Sequence, residues 1–147
     1  MEMLNRYIYK YPHPAVTTDC VVLAPHEGEL NVLLIERAQE PFKGCWAFPG
    51  GFLNIDEDAA AGCRRELKEE TGIEVGQMMQ VGAYTKPDRD PRERVITIAY
   101  VAYLEKPVPV QGGDDASHAR WFPLSKLPNL AFDHAQILHD VQELVNI

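Results

Sequence analysis

The chain has 147 residues, the length of one domain able to bury a proper core, and its hydrophobic fraction of 46% is ordinary for a globular protein. A formal net charge of −8 argues against a general nucleic-acid binder, because phosphate backbones are held mainly by clustered Lys and Arg, yet it remains compatible with a metal-bridged anionic substrate. Cys20, Cys45 and Cys63 lie in different segments without CxxC spacing, which implies neither a zinc site nor a disulfide framework and fits a reducing compartment.

The amino terminus, MEMLNRYIYKYPHP, lacks the basic start and apolar run of a signal peptide, and no apolar stretch approaches the roughly 20 residues that cross a bilayer. The expectation is a cytoplasmic protein with no membrane association. Residues 1–14 read as an aromatic and basic arm that packs across the domain or across a dimer partner, with His13 kept out of helix by Pro14. Two aliphatic runs follow, Ala15 to Ala24 and Asn31 to Arg37, joined by the hairpin-like PHEGEL. Their continuous apolar character predicts strands buried on both faces. A loop from Ala38 to Cys45 carries Phe42, and the short apolar piece Trp46 to Phe48 leads into Pro49, Gly50 and Gly51, a tight turn where main chain approaches a ligand closely.

From about Asp58 to Thr71 the composition is that of a helix, and Gly72 is a natural stop. Helical spacing places Glu66, Glu69 and Glu70 in one arc, with the small Ala59 and Gly62 expected to leave open space beside them. Ala60, Cys63, Leu67 and Thr71 form the opposite, packing side. Like charges at these spacings destabilise a helix, so the acids require either bulk solvent or a cation, and hard oxygen ligands of this kind suit Mg²⁺ or Mn²⁺.

Glu74 to Lys86 reads as a strand interrupted by Gly76 and Gly82, and PDRDPRER as a charged loop at the rim of a site. Arg94 to Leu104 is the clearest strand, apolar on both faces and therefore central. After the connection from Glu105 to Ser117, HARWFPL carries a short strand. Asp133 followed by Gln136 resembles a capping box opening a last helix, whose buried stripe is Ile137, Leu138, Val141, Leu144 and Val145. His134 and His139 are off the spacing of a zinc-binding HExxH and read as helix surface or capping. Two helices with several buried strands imply an α/β protein with a sheet covered on both faces.

Gly51, five residues, Glu57, seven residues, Arg65, Glu66, Leu67, one residue, Glu69, Glu70, one residue, Gly72 and Ile73 resembles the signature of the Nudix hydrolase superfamily at every fixed position. The resemblance implies a Nudix-type α/β/α sandwich with a mixed β-sheet, forming a single domain over 1–147, and hydrolysis of a nucleoside diphosphate linked to a further group. It also implies that Glu66, Glu69 and Glu70, with the carbonyl of Gly50, bind Mg²⁺ or Mn²⁺, and that Arg65, partnered by Glu57, orients the carboxylates. Family members differ in their general base, which leaves Glu66 and the loop acids Asp114 and Asp115 as alternatives. PDRDPRERVITIAYVAYL and AFDH are similar to a bacterial subgroup linked to ADP-ribose, and Pro87 falls near a proline of ADP-ribose pyrophosphatases.

That subgroup contains both hydrolases and ADP-ribose-sensing regulators, and its members are commonly dimers. The intact glutamates and the short stretch after Leu130 point to an enzyme acting on ADP-ribose, with another nucleotide (an oxidised purine nucleoside triphosphate, a nucleotide sugar or NADH) or a non-catalytic sensor as alternatives. Arg37, Arg92 and Arg94 are candidate phosphate ligands. Phe42, Tyr84 and Trp121 are candidates to stack on adenine, against core packing as their ordinary role.

Overall fold

Strands β1 (Ala15–His26) and β6 (Val95–Tyr103) lie side by side and parallel at the centre of the sheet, in register from Ala15 opposite Val95 to Leu23 opposite Tyr103. This follows from their continuous apolar sequences, since a strand covered on both faces needs no polar side. In β1, Cys20 and Val22 face one layer while Val21 and Leu23 face the other, the alternation that a pleated strand imposes. The computed structural model describes residues 6–110 and 118–147.

Strand β2 (Glu29–Glu36) pairs antiparallel with β1 across a tight turn at Glu27 and Gly28, both with positive φ (52° and 85°). Such a two-residue turn matches the right-handed twist of the strands it joins. The short β3 (Trp46–Ala47) adds to β2 and β4 (Gly50–Phe52) to β1, both antiparallel. Strand β5 (Met78–Tyr84) pairs antiparallel with β6 and slips register between Gln80 and Gly82. Finally β7 (Ala119–Pro123) pairs antiparallel with β2, giving one mixed, seven-stranded sheet. Strand β4 is a departure from the turn expected there, because its backbone pairs with β1 in spite of two glycines.

Helix α1 (Ala59–Thr71) covers one face through Cys63 and Leu67, which meet Cys20, Val22, Leu33 and Tyr100. Its start is fixed by Asp58, whose carboxylate accepts the Ala61 N–H at 2.9 Å, and Gly72 at φ 74° ends it. Helix α2 (His134–Leu144) covers the other face, where Ile137, Leu138 and Val141 pack on Val21, Leu23, Val32 and Val101. The sheet is thus sandwiched between two helical layers, as expected. No helix among the described residues is long and apolar enough to cross a membrane.

Two local expectations are corrected. Asp133 makes no side-chain cap to α2, because its carboxylate is taken instead by the Arg89 guanidinium in a two-pronged ion pair of 2.9 and 2.7 Å. Gly62 does not open space beside the glutamates. It is buried, and a Cβ there would strike the Leu53 side chain and come within 2.9 Å of Glu57 Oε1, so its smallness lets the 53–57 loop close on α1. Ala59 likewise packs against the α1-side core.

Candidate functional site

Arg65 organises the outer face of α1. Its guanidinium reaches Glu57 at 2.6 Å, Glu66 at 2.9 Å and Glu69 at 3.3 Å, and it also donates to the Phe52 carbonyl at 3.2 Å. Glu57, whose Oε1 accepts the Asn54 N–H as well, is held at a pKa of about 2, chiefly by its hydrogen bonds from Arg65. Glu66 is pushed upward, mainly by burial, with Arg65 opposing. Gly51 permits this arrangement, since a Cβ there would lie 2.7 Å from the Glu66 carboxyl carbon.

Glu70 lies on the inner side of the same helix, lining a cleft of ≈ 230 Å³ together with Asp19, Arg37, Phe48 and His134. Its Oε1 accepts the Gly50 N–H at 2.8 Å. Burial lifts its pKa to about 8, against the Gly50 hydrogen bond and with help from the negative charges of Glu66, Asp19 and Glu69. A carboxylate in this setting is relieved by a nearby cation.

The expectation of one three-carboxylate patch therefore needs correcting in its geometry. Arg65 draws Glu66 and Glu69 together, whereas Glu70 faces the cleft, and no three Asp, Glu, His or Cys side chains among the described residues converge as they stand on one ion. The donor chemistry still fits a hard divalent cation: oxygen donors alone, with a buried carboxylate that burial and like charges leave poorly stabilised.

The rest of the cleft sets Arg37, Arg89 and Arg92 with Asp19 and Asp90 among the rings of Phe48, Phe52 and Phe132. The Arg37 and Arg92 guanidiniums both lie over the Phe132 ring, at 4.9 and 5.7 Å. Burial lowers the pKa of Arg37, and the like charge of Arg92 lowers it further. Arg92 is tied to the buried Asp90 by two hydrogen bonds of 3.1 and 2.7 Å. Arg94 is exposed and not among the cleft residues; its carbonyl accepts the Ala15 N–H at the head of the β1–β6 pair. Phe42 is also outside the lining, one ring behind Phe132 at 4.9 Å. Tyr84 and Trp121 serve packing: Tyr84 bonds Asp140 at 2.7 Å and Trp121 the Val108 carbonyl at 2.9 Å. Asp114 and Asp115 lie outside the described residues.

Sequence reading did not single out Asp19, Phe52, Arg89, Asp90 or Phe132, all of which line the cleft. One signal was available for Asp19, a lone acid entering the apolar run CVVL. His134 also corrects its expected place on the helix surface. It is buried, stacked on Phe48 at 4.9 Å, and its pKa is lowered by burial, with Asp19 opposing. Because folding keeps this imidazole neutral below its ordinary 6.5, the unfolded chain binds the proton more readily and stability drains as pH falls. We expect the stability of the wild type relative to His134→Asn to shrink between about pH 7.5 and about pH 5.5, by at most about 1.4 kcal/mol per pH unit. Denaturant titrations of the two proteins check this, and parallel curves would contradict it.

The chain thus sets an acidic helix face bound to an arginine beside a charged cleft on an α/β/α sandwich. The NUDIX domain model matches residues 13–141, and the chain belongs to that family. It is 42% identical over 136 residues to an ADP-ribose pyrophosphatase of Methanocaldococcus jannaschii, an alignment covering 92% of this chain and 78% of that one. It is also 34% identical over 140 residues to the ADPR responsive transcriptional repressor NtrR of Acinetobacter baylyi, covering 92% of this chain but only 56% of the repressor. Among solved structures, the NUDIX domain of Shewanella oneidensis NrtR complexed with ADP ribose superposes with a TM-score of 0.86 at 30% identity, over 92% of this chain and 90% of that one.

Proposed function

We propose that the protein is a metal-dependent pyrophosphohydrolase that cleaves ADP-ribose to AMP and ribose 5-phosphate. The observation that carries this reading is the Glu57–Arg65–Glu66/Glu69 network set beside a cleft that offers Glu70, Arg37 and Arg92. The similarity to the archaeal pyrophosphatase supports ADP-ribose over other nucleotides.

Glu66, Glu69, Glu70 and the Gly50 carbonyl would hold Mg²⁺ or Mn²⁺, which when bound neutralises diphosphate charge and acidifies a water. Arg65 fixes the carboxylate orientations. Arg37 and Arg92 receive the phosphates, and an anion between them relieves the mutual repulsion that lowers Arg37. The general base is Glu66 or an acid of the 111–117 segment such as Asp114 or Asp115. A cytoplasmic location and a homodimer belong to the same reading. Three free cysteines support the first, and the exposed Tyr7, Ile8 and Tyr11 of the N-terminal arm supply apolar surface for the second.

Replacing Arg92 with Ala should raise KM for ADP-ribose about tenfold with a smaller effect on kcat, the loss of one charged hydrogen-bonding partner. Steady-state kinetics read this directly, and an unaltered KM would leave Arg92 only as the partner of Asp90. A second reading, a non-catalytic ADP-ribose sensor, is favoured by the likeness to the repressor. Calorimetric binding of ADP-ribose with no product formed in the presence of Mg²⁺ would establish it in place of the enzyme.

A further inference from the structure

Three consecutive residues before the glutamate helix are pinned through the backbone. The Phe48 N–H donates to His134 Nδ1 at 3.1 Å, the Pro49 carbonyl accepts the Cys20 N–H at 2.8 Å, and the Gly50 N–H donates to Glu70 at 2.8 Å. The first of these bonds is the unusual one, because it crosses from the sheet to the start of α2. An amide can only donate, so Nδ1 is the acceptor and the neutral imidazole carries its proton on Nε2. Nε2 faces Asp19 Oδ1 at 3.6 Å, and Asp19 Oδ2 accepts the Thr97 hydroxyl at 2.6 Å.

His134, Asp19 and Thr97 are 3%, 7% and 0% exposed, so the chain of polar groups runs through the interior. Burying such groups is costly unless every member is partnered, and an apolar joint between helix and sheet would hold the fold as well. Its location gives it a purpose. Asp19 abuts Gly50: a Cβ on Gly50 would fall 2.8 Å from Asp19 Oδ1 and against the Thr18 carbonyl. The Phe48 to Gly50 backbone is therefore gripped on one side by His134, with Asp19 behind it, and on the other by Glu70.

We infer that His134 is a positioning residue that sets the Gly50 carbonyl for metal binding, acting through the Phe48 N–H and braced by Asp19 and Thr97. This rests on the reading of Gly50, Glu66, Glu69 and Glu70 as the metal site. Groups that orient metal ligands typically change metal affinity by about 10- to 100-fold when replaced.

The two amide replacements of histidine separate the parts of the role. Asn places an oxygen where Nδ1 was and keeps the Phe48 acceptor, whereas Gln reaches toward Asp19 but offers Phe48 nothing. Binding of Mn²⁺ to the full chain, followed by electron paramagnetic resonance without nucleotide, is the readout, with thermal melting as a check on folding. Affinity should fall about tenfold in His134→Gln, by no more than about threefold in His134→Asn, which keeps the Phe48 acceptor and loses only the Asp19 contact, and be lost in Glu69→Gln. Wild-type affinity in His134→Gln, with loss in Glu69→Gln, overturns this inference alone. Retained affinity in Glu69→Gln overturns the metal reading and this inference with it. Should His134→Gln fail to fold, Thr97→Val decides: it removes only the bond to Asp19, about threefold weaker Mn²⁺ binding is expected, and unchanged affinity overturns the inference.

Discussion

Glu69→Gln is expected to lose turnover by about three orders of magnitude or more while keeping the wild-type fold. Glu69 sits on the exposed side of α1, and its side chain, 59% exposed, meets Arg65 only at 3.3 Å. An exposed pair of this kind contributes little to stability, so the thermal midpoint should move by no more than a few degrees. Losing one of the three proposed carboxylate ligands is a different matter, because a diphosphate without its neutralising ion keeps charge that repels an attacking water. Initial-rate assays and calorimetry on the same preparation test both halves, and unchanged activity would remove the proposed metal site.

The largest effect on stability is expected from Asp133→Ala. Arg89 has only 4% of its side chain exposed and donates both its short hydrogen bonds to the Asp133 carboxylate, which is itself 24% exposed. Removing the acid leaves a buried guanidinium without its hydrogen-bonded counter-charge, at a cost of about 3 kcal/mol. Since the Asp133 side chain makes no cap to α2, the loss is chiefly that of the ion pair. Chemical denaturation should show it, and replacing both partners by apolar residues should recover most of it. A loss below about 0.5 kcal/mol would mean that Arg89 finds another partner or reaches water.

The loop bearing Arg89 also shows where sequence reading stopped. Strands β1, β2 and β6 were legible because unbroken apolar runs have one common explanation, burial on both faces. The grouping of Glu66, Glu69 and Arg65 was legible because contacts three and four residues apart are fixed by helix geometry itself. Asp133 followed by Gln136 satisfied the pattern of a capping box, but the pattern has no knowledge of a competitor forty-four residues away, and Arg89 captured the carboxylate. Strand β4 was hidden by its two glycines, whose low strand propensity is overridden by pairing with β1.

His134 was readable in principle. It stands three, four and seven residues before Ile137, Leu138 and Val141, squarely on the buried stripe of α2. A histidine at the head of such a stripe is buried by the same geometry as its aliphatic neighbours, whatever its polarity. The orientation of Glu70 was not readable. Helical spacing brings the three glutamates to one region, but which of them turns toward Arg65 and which toward Gly50 depends on the 50–52 backbone meeting α1.

The most direct test of the proposed activity is a product analysis with Mg²⁺, offering ADP-ribose beside an oxidised dGTP, a nucleotide sugar, NADH and a diadenosine polyphosphate, with Glu69→Gln as the control. The expected result is AMP and ribose 5-phosphate formed in preference to all other products by the wild type and not by the variant. Preferential turnover of another substrate, or binding of ADP-ribose without turnover, would contradict it.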